Sequence, residues 1–594
     1  MKFFLVSLCM FMVIFMYAQE STSLRGTLTD AGSGMPIVAA SVSVVGWKQS
    51  PGCISDSTGS FVIRYLPPGR YTLQVSCVGY ETTLIPELLI TAGRQTVLEL
   101  TIREQVKSLE EVTVSPQVKK DRPLNNMAVA SARMFSVDEA KRYAGGFDDP
   151  SRLAGSFAGV ASNSEENGII VRGNAPKFLQ WKMEGVEIPN PNHFGDLKTF
   201  GGGTLTALSS QMLSNSDFFT GAFPAEYSNA LSGVFDLNLR TGNNEQQENT
   251  FQAGIIGIDA ASEGPFRKNG KSSYLFNYRY STLALLSPLL PENANTLKYQ
   301  DLSFKLNFPT RKAGIFSIWG FGLVDAANSN PKKNQADWKY AEDNEDSRIK
   351  ASTMAAGISH KYFFRRGASV KTTLAITGGV TEWNTDKQDE QLNFHPKNRI
   401  YNNNFNFVFS SAYNKKLSQA HTNRTGLVIT AMQYDLRMQQ APSPGQAMVD
   451  IVNNKGNSAL VTAYSSSLFR LSDRYKLSTG INANWFALNN HYSIEPRLGI
   501  TRALSSNHSI AFAFGLHSRL ERLGYYFANA LSTGEKAVNK QLDFTRASHC
   551  VLSYDWKLSE LLHFKAEAYL QDLYRVPVVA DSSFSLLNLK SDWF

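Results

Sequence analysis

From about Glu248 onward, segment after segment of roughly ten residues alternates apolar and polar side chains, and few folds can use such a series. In one segment Tyr475, Leu477, Thr479, Ile481, Ala483 and Trp485 share a face, while Lys476, Ser478, Gly480, Asn482 and Asn484 share the other. Successive side chains of a strand point to opposite faces, so one face meets an apolar medium and the other a wet one. A soluble sandwich uses such strands once or twice. A long series behind a secretion signal predicts the wall of an antiparallel transmembrane β-barrel. Hydrophobic residues make up 43% of the chain and mean hydropathy is -0.23. That is too low for a helical membrane bundle, but it suits a barrel whose strands give half their residues to a polar lumen.

Met1 to Ala18 read as the signal: Lys2 supplies the positive end, and Phe3 to Met16 form an apolar run too short for a helical anchor. Cleavage is expected after Ala18. Cys9 lacks a preceding small residue, which argues against lipoprotein processing. The 594 residues exceed one ordinary domain, so several modules are expected. The net charge of +8 is diffuse, with Asp and Glu interleaved, and implies no nucleic-acid partner. Cys53 and Cys77 fall in one small module, where an oxidising compartment would permit a bridge; two half-buried strand residues is the other reading. No spacing of ligand-type residues suggests a metal or a cofactor.

Residues 24–102 predict a small β-sandwich, with strand-like runs at Ala40–Val45, Ser60–Tyr65, Tyr71–Val78 and Thr96–Ile102. Turn signals separate them: Asp30-Ala31-Gly32, Asp56-Ser57-Thr58-Gly59 and Pro67-Pro68-Gly69. With Gly26-Thr27-Leu28-Thr29-Asp30, Pro36, Gly59-Ser60-Phe61, Leu66-Pro67-Pro68-Gly69-Arg70-Tyr71 and Val78-Gly79-Tyr80, the module resembles the carboxypeptidase regulatory-like domain, an immunoglobulin-like fold. It brings no peptidase with it. A zinc peptidase of that kind needs His and Glu at close spacing, and none of the nine histidines has Glu at the third following position. No enzyme activity is expected. A charged linker is expected over 103–126.

Residues 127–242 predict a compact α+β segment rich in Gly and Asn. Ile169-Ile170-Val171-Arg172-Gly173-Asn174 comes first, then Trp181-Lys182-Met183-Glu184-Gly185-Val186. Ala225-Glu226-Tyr227 and Leu231-Ser232-Gly233-Val234 follow. In this order the elements resemble the plug domain of TonB-dependent outer-membrane receptors. Tyr227-Ser228 departs from that pattern, which usually has Gly after the Tyr. Gly201-Gly202-Gly203 lacks the Lys and preceding strand of a nucleotide loop and reads as a plug loop. The pairing of the two modules resembles receptors of Bacteroidota.

The barrel is expected over 248–594. Links near 267–271, 310–312, 365–368, 415–418, 471–474, 504–507 and 556–560 are short. Those near 287–297, 326–349, 384–403, 437–456 and 519–541 are long, and Asn489-Asn490 is a tight member of the second set. Outer-membrane barrels place short turns in the periplasm and long loops outside. If the plug hands over to the wall near Gly242 on the periplasmic side, a further tight hairpin must lie between Glu248 and Gly264, with Gly257 the best bend. The count is then about fifteen strands, the last running from Leu561 to Tyr574. In it Phe564, Ala566, Ala568 and Leu570 face lipid, and Lys565, Glu567 and Gln571 face the lumen. An odd count is unusual for a single-chain barrel, and the resemblance implies about 22 strands. The expectation is therefore an incomplete wall.

The resemblance implies a receptor that imports a scarce extracellular ligand across the outer membrane, driven by the TonB energy-transducing complex. Siderophores, cobalamin, peptides and glycans all stand open as ligand classes, and a surface lipoprotein partner ranks low. Alternatives are a surface binding or anchoring protein that uses the barrel as a platform, or a non-transporting fragment. The alternating segment Leu109, Glu110, Glu111, Val112, Thr113 and Val114 becomes the candidate TonB contact, although on local pattern it also reads as a spacer. Asn192, His193 and Phe194 are candidate ligand contacts, or a loop held by its own turns. Arg172, Gly173, Gly185 and Gly233 are expected to be structural, and Trp181 to sit in the plug core.

Overall fold

A computed structural model describes residues 22–46, 51–92, 95–105, 117–118, 122–143, 146, 149–163, 167–197, 200–254, 257–282, 284, 296–340, 342–364, 367–530, 534–559 and 562–578. The signal segment and Leu109–Val114 lie outside them. The chain divides into two compact units, Met1–Lys120 and Asp121–Phe594.

Among the described residues the first unit holds the strands β1 (Ser23–Asp30), β2 (Ser41–Val44), β3 (Gly52–Ile54), β4 (Ser60–Arg64), β5 (Gly69–Ser76), β6 (Thr83–Ile90), β7 (Thr96–Ile102) and β8 (Gln117–Val118). They form a sheet β4-β1-β7 and a sheet β3-β2-β5-β6-β8. Leu28, Ala40, Val42, Phe61, Leu73 and Val75 fill the core. The acidic turn signals act through their carboxylates: Asp56 accepts from the backbone of Thr58 at 2.7 Å and Ser60 at 2.9 Å. Cys53 and Val75 flank Val42 from opposite sides, and Cys77 follows β5, so strand β2 separates the two cysteines. Two strand spacings come to about 9.5 Å, beyond the reach of a disulfide, and both thiols are free.

Both ends of the stretch 103–126 make contacts with the flanking units. Gln105 still donates to Gly79 in the first unit at 2.8 Å. Leu124 and Asn125 already donate to Asp217 of the second, each at 2.8 Å.

The plug contains β9 (Ala132–Phe135), β10 (Val160–Asn163), β11 (Gly168–Val171), β12 (Leu179–Met183), β13 (Val186–Ile188), β14 (Asn192–His193), β15 (Leu205–Thr206), β16 (Ser216–Phe219) and β17 (Gly233–Leu237). Its main sheet runs β13-β12-β17-β16-β9. Two short helices, Val137–Arg142 and Pro150–Ala154, are started by Ser136 and Asp149, whose side chains accept from the first-turn backbone. Trp181 stacks on Phe235 at 4.3 Å, and Phe218 meets the same ring at 4.4 Å. This core continues into the wall through Leu275, Trp319, Phe321 and Leu323.

The wall is one antiparallel sheet of fifteen strands in sequence order. They are β18 (Glu248–Ala253), β19 (Gly257–Pro265), β20 (Ser273–Ser281), β21 (Thr296–Pro309), β22 (Ile315–Ser329), β23 (Glu345–Phe364), β24 (Ala368–Gln388) and β25 (Phe394–Lys416). Then come β26 (His421–Gln440), β27 (Val449–Arg470), β28 (Tyr475–Phe486), β29 (His491–Ala503), β30 (His508–Arg519), β31 (Thr545–Lys557) and β32 (His563–Tyr574). β18 and β19 pair antiparallel as the hairpin required between Glu248 and Gly264, with Ala253 opposite Ile258 and Gly254 donating to the carbonyl of Gly257 at 3.0 Å. In β28 the outward Ile481 and Trp485 are 51% and 45% exposed, while the inward Asn482 and Asn484 are 0% and 3%. Aromatic pairs ring the short-link end: Phe266–Phe308 at 5.3 Å, Phe316–His360 at 4.2 Å and His508–Trp556 at 5.3 Å. Rings of this kind mark the polar boundary of a lipid layer.

Strand length departs from expectation. β25 runs for 23 residues, and the links expected over 384–403 and 437–456 shrink to 389–393 and 441–448. Above the apolar band both faces of these strands are polar, as in Asn398–Asn404. Alternation is lost there while the backbone ladder continues, and a ladder does not need apolar side chains.

Candidate functional site

The plug is tied to the wall by buried charges. Arg172 and Gly173 form a two-residue turn with φ of 52° and 81°, which aims the Arg172 guanidinium at the last strand. Its Nη2 donates to Glu567 at 2.6 Å and to Ser131 Oγ at 2.8 Å, and the group lies 4.2 Å over the Tyr569 ring. Asn174 donates to Gln571 at 2.7 Å. Glu567 and Gln571 thus face inward, while Phe564 and Leu570 of the same strand stay exposed.

Glu184 and Gly185 form the second such turn, with φ of 52° and 89°. Glu184 accepts from Lys305 at 2.8 Å, Lys371 at 2.9 Å and the Leu239 amide at 3.1 Å. Burial disfavours its charge, but the two ammonium groups outweigh this and hold its pKa well below the carboxylate range. Glu226 accepts from Arg424 and from Asn125 at 2.6 and 2.7 Å. Arg497 donates to the carbonyls of Phe223 at 3.1 Å and Tyr227 at 2.8 Å, and also to that of Pro224. Gly233 lets β17 close on β16: a Cβ there would sit 2.8 Å from the Phe219 carbonyl oxygen and 3.1 Å from Val171 Cγ2. Gly233→Ala is expected to cost about 1–3 kcal/mol, measurable as a lower plug unfolding midpoint with unchanged wall signal.

The loop of Asn192, His193 and Phe194 is fastened to the wall as a latch. His193 is fully buried, with Nε2 2.9 Å from Asp301 and Nδ1 2.6 Å from Asp325. Phe194 donates its amide to Asp325 at 2.7 Å and packs with Leu197, Leu205 and Tyr299. Asn192 bonds Asn167 at 3.1 Å and Asn190 at 2.8 Å. None of the three lines the cavity described next. Burial opposes the charge on His193, but its two carboxylate partners more than offset this and raise its pKa.

A cavity of about 480 Å³ lies between the plug and strands β23–β27, under the link from β30 to β31. That is the size range of small-molecule sites. From the plug come Gln180, Trp181, Glu187, Asn190 and Asn229; from the wall come Thr377, Thr381, Trp383, Tyr401, Asn402, Asn404, Asn406 and Thr430. The link folds inward over it as a short helix, Leu523–Tyr526. Tyr526, Phe527 and Phe544 pack on Tyr434, Leu436, Val452 and Phe486. Arg519 donates to the carbonyl of Leu179 at 3.0 Å, Arg522 pairs with Asp196 at 3.3 Å, and Lys177 with Glu521 at 3.7 Å.

The charged groups around the cavity are thus held by protein partners. Arg437 adds a pair with Asp435 at 2.7 Å, Glu187 accepts from Asn229 at 3.0 Å, and Lys182 donates to the Glu226 carbonyl at 3.1 Å. Among the described residues, no group of His, Cys, Asp and Glu has the placement of a metal site. Sequence reasoning missed the amides of β25: Asn402 fell in the link expected over 384–403, and Asn404 and Asn406 lay just beyond it with no role assigned. Their signal was the spacing Asn402, Asn404, Asn406, a two-residue period.

Residues 23–103 match the carboxypeptidase regulatory-like domain family. A 268-residue stretch, 43% of this chain, is 24% identical to the TonB-dependent transporter Oar of Myxococcus xanthus, of which it spans 24%. The ferric enterobactin receptor PfeA of Pseudomonas aeruginosa superposes with a TM-score of 0.52 at 12% identity, covering 75% of this chain and 71% of that one. The siderophore receptor PirA of Acinetobacter baumannii gives 0.53 at 12% identity, covering 75% and 70%. Behind a carboxypeptidase regulatory-like domain, the chain carries the plug-and-wall fold of the TonB-dependent outer-membrane receptors.

Proposed function

We propose that this chain acts as an outer-membrane receptor that binds an extracellular ligand between plug and wall and imports it with energy from the TonB complex. The observation that carries this reading is the cavity of about 480 Å³ floored by the plug and partly covered by an inward-folded link. A ligand seated there can pass only if the plug shifts, which calls for work. The exposed apolar band and its aromatic ring seat the wall in outer-membrane lipid. The first unit and the segment Leu109–Val114 then lie in the periplasm, within reach of TonB, whose contact is strand addition to the alternating segment.

Deletion of Leu109–Val114 in the protein expressed in its own host is expected to abolish energy-dependent uptake and spare ligand binding. Uptake at the wild-type rate would refute the TonB assignment. Binding with no uptake in the intact protein would instead favour an anchoring platform.

A further inference from the structure

We propose that the cavity takes an uncharged, hydroxyl-rich ligand, a short neutral oligosaccharide, held along the amide ladder Asn402, Asn404 and Asn406. This rests on the receptor reading for its site, but not on transport. Side chains two apart on a strand share a face and stand about 6.7 Å apart, so the ladder presents amides at regular steps down the cavity wall. The Oδ1 atoms of Asn402 and Asn404, and Oε1 of Gln180 across from them on the plug, are buried without a hydrogen-bond partner among the described residues. An unpaired buried acceptor is costly, so a ligand that supplies donors gains here. An amide offers a donor and an acceptor together, and a hydroxyl answers both.

The wall beside the ladder is cut away. Gly379 stands opposite Asn404 in the register of β24 and β25. A Cβ on Gly378, whose φ is 146°, would lie 2.0 Å from the Asn404 carbonyl oxygen, and one on Gly379 would lie 2.1 Å from that of Ser352. Only bare backbone fits between the strands there, and it lines the cavity beside Thr377 and Thr381. Trp383, on the same face as Thr381 and the ladder, gives the outer part of the cavity a flat apolar face, suited to the C–H face of a sugar ring.

Charge decides against the other classes. The cations around the cavity pair with Asp196, Asp435 and Glu521 or bond carbonyls. An anionic ferric chelate would enter without a counter-charge, and a peptide would bring an ammonium and a carboxylate terminus with no partners. A neutral ligand has neither cost.

The test uses the full chain purified in detergent. It is screened on an array of neutral oligosaccharides, and hits are titrated calorimetrically beside a ferric tricatecholate and a mixture of tetrapeptides. Saturable binding of neutral oligosaccharides is expected, weakened about tenfold or more by Asn402→Leu with Asn404→Leu, which removes roughly 1.4 kcal/mol. Thr381→Val, opposite Asn402, is a milder change expected to weaken binding about threefold; it keeps the test valid if the double variant misfolds. The tricatecholate and the peptides are expected not to bind. The proposal is overturned if no oligosaccharide binds, or if the chelate or peptides bind and lose affinity in the variants. Oligosaccharide binding without uptake in cells would leave this proposal standing and remove the transport reading. Chelate binding with uptake would do the reverse.

Discussion

Glu184→Gln is expected to release the plug from the wall at a denaturant concentration well below that for the native chain. The glutamine keeps the shape of the side chain but turns a neutral amide toward the buried ammonium of Lys305, 8% exposed, in place of a carboxylate. Removing one partner from a buried pair costs about 3–5 kcal/mol. Trp181, stacked in the plug core, reports the event as a fluorescence shift during a urea titration, while strand circular dichroism follows the wall. Lys305→Met is expected to cost more than Lys371→Met, since Lys371 is 31% exposed and water replaces part of its loss. The pH dependence has a definite sign. The folded pKa of Glu184 lies below its unfolded value, so its contribution is complete above the unfolded pKa and is lost as pH falls through the folded one. An unchanged midpoint for the Gln variant would show that the tie contributes nothing to docking.

The latch at His193 is expected to titrate in the opposite sense. Its pKa is raised, so the stability it contributes is complete below the unfolded histidine pKa and fades as pH rises through the folded one. The groups facing it are Asp301, Asp325, the Tyr299 ring at 4.6 Å and, through Asp301, Arg279 at 2.8 Å. Loss of the proton leaves the carboxylates facing a neutral ring. Amide exchange across 190–197, corrected for its intrinsic pH dependence, is therefore expected to accelerate on the alkaline side. His193→Gln should flatten that profile and cost about 1.5–3 kcal/mol at neutral pH. A variant with the native profile would remove His193 from the role.

Much of the fold was legible because it rests on period and punctuation. A two-residue alternation such as Tyr475 to Trp485 survives in any sequence that must face lipid on one side. Asp56 and Gly59 mark a turn because one supplies acceptors and the other a φ that L-residues avoid. The site was less legible. Asn192, His193 and Phe194 have the chemistry of a recognition loop, and only the partners Asp301 and Asp325, more than a hundred residues away, turn them into a latch. Glu184 carried no assigned role, because its lysine partners lie on strands far along the chain. Asn402 sits where alternation has already failed, so the polar start of β25 passed for a loop up to residue 403.

The ties also have an order along the chain. Asn125, which accepts from Arg424 at 3.4 Å, and Ser131 come first, then Arg172, which shares Glu567 with Ser131, and after it Glu184, His193 and the Phe223–Tyr227 carbonyls on other strands of the wall. Tension applied at the N-terminal end loads Asn125 and Ser131 before any other tie bears weight. Such an attachment peels like a strip of tape, and its peak force is set by the toughest single fastening instead of by their sum. Single-molecule pulling from residue 122 should show a staircase of small ruptures, and one large rupture would mean that the ties share the load.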